Sequence, residues 1–248
     1  MKNKLLYPVY FVLFVVCVLV LPHETQAQIP TEFENLQVFP KDIGQRELIN
    51  NMKSFSMGLG VRCNYCHVGE GDDFSTFDFS SDEKQAKKTA RIMIQMRTDI
   101  NNQYLTQLGK ENTLSVNCVT CHHGQSRPQT LASVLTEVLQ EKGLDAAIEK
   151  YRELRKNFYG SSAYDFTEWT LMLFAQGLAG QKKPDAAIAF LKLNVEMFPK
   201  FATSYIGLGE VYMKTGDKTS ALENFKKALE LEPNNRRVKM RIEKLSGK

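Results

Sequence analysis

Behind Lys2 and Lys4 the chain opens on an apolar run, Leu5 to Leu21, and then reaches Thr25-Gln26-Ala27. Basic, then apolar, then small is the layout of a secretory leader, with cleavage expected after Ala27. A retained anchor is the alternative, since a run of this length is at the short limit for a spanning helix. Beyond the leader the pattern turns helical. Ile43, Leu48, Ile49, Met52 and Phe55 recur at three- and four-residue spacing, which predicts a helix from about Asp42 to Met57, stopped by Gly58 and Gly60. Gly69 to Phe79 reads as an acidic loop. Ser80 and Glu83 read as a capping box that opens a second helix. That helix should reach about Leu108, with Ala90, Ile92, Met93, Met96, Ile100 and Tyr104 as its apolar face.

From about Thr130 the pattern becomes continuous amphipathic helix with a repeat 34 residues long. Ala187-Ile188 matches Ala221-Leu222, Leu191 matches Phe225, Val195 matches Leu229, and Pro199 matches Pro233. This is the spacing of tetratricopeptide (TPR) repeats, and residues 202–235 resemble that consensus. An earlier copy begins near Asp145 and implies about six inserted residues around Tyr159 to Asp165. Lys239 to Leu245 should cap the stack. Tyr205, Tyr212, Phe225 and Trp169 are expected to be packing residues. The fold expected is all-α: a leader over 1–27, a small domain over 28–130, and a TPR-like helical repeat domain over 131–248.

Charge adds little. The net +4 is too small to imply nucleic acid. It is unevenly spread, with 11 basic against 13 acidic residues over 28–140 and 19 against 14 over 141–248. The basic repeats would favour an acidic partner surface or the acidic first half itself.

The cysteines carry the chemistry. Cys17 lies in the leader. The other four form two strings of one pattern, Cys63-Asn64-Tyr65-Cys66-His67 and Cys118-Val119-Thr120-Cys121-His122. C-x-x-C-H is the attachment pattern of c-type haem: the thiols bond the porphyrin's two vinyl groups and the next histidine reaches the iron. Cys63, Cys66, Cys118 and Cys121 are therefore the expected attachment residues for two haem c groups, and His67 and His122 the proximal iron ligands. Zinc or two disulfides would leave both histidine positions unexplained, and a 52-residue gap between the pairs is long for a zinc ribbon. For the sixth ligand, His123 adjoins His122 and points away from that iron, which leaves it the other haem or a propionate as partner. Met52 and Met96, on the helices before each string, are the stronger candidates, with core filling as the competing role and Met57 and Met93 as rivals.

A resemblance bears on this choice. Asn35-Leu36-Gln37-Val38-Phe39-Pro40, Met52 with Leu59-Gly60-Val61-Arg62-Cys63, Ala90 to Met96, and Cys118 to His122 together resemble the cytochrome c subunit family of photosynthetic reaction centres. The resemblance implies haem sites built from helix, turn and string, with a methionine of the preceding helix as sixth ligand. It selects Met52, 11 residues before Cys63, and Met96, 22 before Cys118. The familiar subunit differs in carrying four haems and no repeat tail. The chain is therefore expected to be an exported electron carrier, in the periplasm or at the outer face of the cytoplasmic membrane. It would have two six-coordinate haems close together, redox protein partners, which could include a membrane complex, and a TPR docking region. Two rival readings are a dihaem peroxidase with one open haem, and a repeat protein that uses haem as sensor or structural element.

Overall fold

The computed structural model describes residues 32–71, 73–109 and 114–247. The leader expected over 1–27 lies outside them. The chain is all-α. Its one β feature among the described residues is an isolated antiparallel bridge between Val68 and Asp78. No described helix is long and apolar enough to cross a membrane.

The chain divides into two compact units. One is residues up to Met57 with Val61–Asn117; the other is Gly58–Gly60 with Cys118–Lys248. The backbone after Cys118 packs on Gly58 and Gly60, and Gln125 bonds to Tyr164, so the second string joins the repeats.

In the first unit, α1 spans Gln45–Leu59, with its last two residues counted in the second. It therefore runs through Gly58, and only Gly60, at φ +65, ends it. Helix α2 spans Gln85–Asp99 and continues through a π turn, Ile100–Tyr104, and a 3-10 turn, Leu105–Leu108. The expected capping box does not form. Asp78 accepts from the backbone N–H groups of Ser80 and Ser81 and from the Ser80 hydroxyl. The ammonium of Lys87 donates to the carbonyls of Phe79, Ser80 and Ser81 at 2.7–3.1 Å. These bonds hold Ser80 and Ser81 in a turn, so the helix starts four residues late, with Lys84 in place of Ser80 as its cap.

The unit has little core of its own. Among the described residues between 32 and 127 the buried apolar side chains are Leu48 and Ile94, whereas Met57, Ile92 and Leu114 are each about 70% exposed. Segments without a packed apolar interior cannot offset their ordering entropy.

The second unit contrasts with this. The short helix α3, Cys118–His122, is followed by α4 (Leu131–Lys142), α5 (Leu144–Phe158), α6 (Glu168–Gly180) and α7 (Pro184–Met197). Then come α8 (Ala202–Thr215), α9 (Lys218–Leu231) and α10 (Arg236–Ser246). Successive helices pair, as in TPR arrays. Thr130, Asp217 and Asn235 cap α4, α9 and α10 through their side-chain oxygens. Both hydrophobic clusters lie here. Phe225 is fully buried, and its ring occupies the space a side chain on Gly209 would need, 2.7 Å from the position of a Cβ. That explains the glycine at position 209. Trp169 departs from expectation: it is half exposed, its ring edge-on to Phe201 at 5.0 Å. The insert of the first repeat occupies 159–167, between α5 and α6. Tyr164 within it packs between Phe158 and Phe166.

Candidate functional site

At the first string, Cys63–Tyr65 forms one 3-10 turn. Backbone N–H groups of Cys66 and His67 both donate to the Cys63 carbonyl, at 3.2 and 3.0 Å. A single turn thus gathers both thiols and the histidine. Lys84 clamps the string from α2's N-terminus by donating to the Asn64 carbonyl. The Val68–Asp78 bridge turns the following loop back, so that Phe79 meets the His67 imidazole edge-on at 5.1 Å. Phe77 stacks on Phe79 and fills the space a side chain at Gly69 would take. His67 Nδ1 is buried and makes no geometrically sound hydrogen bond. Burial, and next the charges of Lys87, Lys84 and Arg91, push its pKa down to about 4; the Phe79 carbonyl opposes them. The neutral imidazole is the form that binds a metal. Burial raises the Cys66 thiol, with Lys84 opposing. Asp82 balances part of this cationic group, pairing with Arg91 at 2.8 Å and Lys87 at 3.2 Å.

The second string is built differently. Cys118–His122 is itself a short helix, and His122 is 9% exposed. His123 and Gly124 take left-handed φ angles of 48 and 80, and Gln125 N–H returns to the His122 carbonyl at 2.9 Å. This reversal brings the Gln125 carbonyl to 2.7 Å from Nδ1 of His122. A carbonyl only accepts, so Nδ1 carries a proton, and in the neutral ring Nε2 is the nitrogen left to bind a metal. Gly124 N–H donates to the Gly58 carbonyl at 2.9 Å. A side chain on Gly58 would start 3.0 Å from the Cys118 Cβ.

Upstream, Asn101 sits in the π turn and holds Val116 by both backbone groups: its Nδ2 donates to the Val116 carbonyl and its Oδ1 accepts from the Val116 N–H, each at 2.8 Å. Val116 lies two residues before Cys118. Asn101→Ala should therefore cost about 2 kcal/mol, the order expected when two partly buried backbone groups lose their partner. It should also lower haem incorporation at the second string, read by haem-to-protein ratio and denaturation midpoint. Unchanged values of both would show that the clamp is idle.

Met52 lies partly buried on α1 and Met96, 44% exposed, on α2, so core filling does not account for Met96. None of the four cysteines of the strings is in a disulfide. Among the described residues no three His, Cys, Asp or Glu side chains converge on a metal cage. His123 is exposed in its turn. Lys84, Phe79, Asn101 and Gln125 join the site without having been expected there. Of these only Phe79 has a trace in the sequence, in the Phe74, Phe77, Phe79 spacing.

The donor set fits a c-type haem at each string: a thiol pair and a histidine in each, His67 held neutral by burial, and, at the second, a His122 ring oriented by the carbonyl behind it. The sequence profile of the photosynthetic reaction centre cytochrome C subunit matches residues 17–188. The chain belongs to this family. A tetratricopeptide profile matches residues 202–235. The photosynthetic reaction center cytochrome c subunit of Roseobacter denitrificans is 36% identical over 110 residues, 44% of this chain and 28% of that protein. The protein of the same name from Rubrivivax gelatinosus is 33% identical over 87 residues, 31% of this chain and 22% of its own. Cytochrome c-554 of Chloroflexus aurantiacus is 30% identical over 97 residues, 36% and 22% respectively. The chain thus spans about a quarter of the length of the relatives it matches. Family membership implies covalently bound haem c.

Proposed function

We propose that this chain is an exported dihaem c-type cytochrome that passes single electrons between redox protein partners, in the periplasm or at the outer face of the membrane. Residues 28–130 form its cytochrome part and 131–248 a docking region. The observation that carries the reading is the bond from His122 Nδ1 to the Gln125 carbonyl. It fixes the tautomer a proximal ligand needs and orients the ring. Haem c, when bound, supplies the one-electron couple.

The protein's residues would act as follows. Cys63, Cys66, Cys118 and Cys121 hold the two macrocycles by thioether bonds. His67 and His122 are proximal ligands, and Met52 and Met96 close the sixth positions. The Phe77 and Phe79 rings keep water from His67. Lys84 holds the first string through the Asn64 carbonyl, and Asn101 holds Val116, two residues before the second. With both irons six-coordinate, no substrate reaches them, and transfer needs only partner contact. The repeats suit that contact, being an exposed helical array with excess positive charge.

The test is carbon monoxide. The reduced protein should not bind it without denaturant, while Met52→Ala and Met96→Ala should each open one haem per chain. Binding by the unmodified protein would favour a peroxidase-like enzyme with an open haem.

A further inference from the structure

The repeat region and the second string share a polar connection that a docking role does not need. The Tyr164 hydroxyl donates to Oε1 of Gln125 at 2.8 Å, and the carbonyl of the same glutamine accepts from His122 Nδ1. Tyr164 belongs to the loop 159–167, which is five residues longer than the corresponding loop 198–201 of the next repeat. Its ring is wedged edge-on between Phe158 at 5.5 Å and Phe166 at 6.0 Å, and Phe166 is 6% exposed. The hydroxyl is therefore aimed by a rigid aromatic stack. The segment it holds, by contrast, is strained: His123 sits at φ 48, a conformation β-carbon-bearing residues avoid. Something must keep that turn closed if Gln125 is to stay on the imidazole.

We infer that Tyr164 is a positioning residue for the proximal ligand of the second haem: by pinning Gln125 it keeps that carbonyl on His122 and holds the haem's reduction potential down. The inference rests on the dihaem reading. Its chemistry is direct. A proximal imidazole that donates to a carbonyl is the more basic at Nε2, and a stronger donor favours ferric over ferrous iron. Releasing the carbonyl weakens the donor and raises the potential. The helical repeats then set the redox level of one haem and not of the other.

Tyr164→Phe keeps the ring contacts and removes only the hydroxyl. Gln125→Leu removes its acceptor and keeps the backbone carbonyl. In the full-length, haem-loaded protein, a spectropotentiometric titration should resolve two components. Each variant should shift one of them toward reduction by about threefold in equilibrium constant, or about 28 mV at 59 mV per tenfold. The double variant should shift it no further, since both changes break one bond. Haem content and helical circular dichroism should stay at the unmodified value. Unmoved potentials, equal movement of both components, or additive shifts in the double variant would each overturn the inference. A haem content of one per chain in the unmodified protein would instead overturn the dihaem reading itself.

Discussion

A chain with Cys63, Cys66, Cys118 and Cys121 all replaced by alanine should keep its repeats folded and lose most of the structure before them. The reason is where the apolar contacts lie. The repeats bury Leu135, Tyr151, Leu171, Phe190, Leu191 and Phe225 to 1% exposure or less. Each such side chain contributes about 1.5–3 kcal/mol. The described residues between 32 and 127 bury Leu48 and Ile94 alone among large apolar side chains, and leave Ile92 at 69% and Met96 at 44% exposure. Two such residues cannot stabilise α1 and the long α2, because helices of that length are marginal in water without tertiary packing. A bound macrocycle gives their apolar faces a surface to cover. Far-UV circular dichroism should fall by about a quarter, the share of helix in α1 and in α2 with its extension. Limited proteolysis should cut between residues 32 and 117 and spare 131–247. Full protection of α1 and α2 in the haem-free chain would show that the protein part holds itself together.

Gly60→Ala should be the most damaging single substitution in the turn. Gly60 stands at φ +65, and a Cβ there would lie 2.0 Å from the carbonyl oxygen of Gly124 and 2.8 Å from its carbon. Two costs combine. The left-handed conformation costs a non-glycine residue about 1–2 kcal/mol. The collision is with backbone, which cannot rotate away as a side chain tip can, and it displaces the turn that carries Gln125 to His122. Gly71→Ala separates the two, because Gly71 has φ +57 but open space around it. Gly71→Ala should show only the conformational cost in a denaturation midpoint. Gly60→Ala should lose about 3 kcal/mol or more and release the second haem. Equal effects of the two would mean that the contact with Gly124 carries no weight.

Much of this is legible in the sequence, for reasons that differ from element to element. The repeats can be read because apolar and small residues recur 34 positions apart, as Leu191 with Phe225 and Ala187 with Ala221, all of them buried. The strings can be read because haem attachment fixes residue type and spacing within five positions. The start of α2 cannot, because Ser80 and Glu83 fit a capping box locally, while Asp78 and Lys87 claim the same backbone from outside it. Gly58 and Gly60 look like ordinary helix stops. Their larger role, making room for Cys118 and Gly124 some 60 residues later, leaves no local mark.

The linear order of residues is enough for the all-α class, the two C-x-x-C-H strings, the helices that carry Met52 and Met96, and the repeat region with its longer first loop. All of these depend on periodicity or on short-range covalent spacing, which the chain writes in order. Folding in three dimensions chose which carbonyl faces His122, which lysine clamps Asn64, that Asn101 holds Val116, and that the second string packs with the repeats. Most of these are meetings of residues far apart in the chain, and all are selected by backbone reversals and close packing. A single polar residue or glycine at each carries no periodic signal to betray its partner.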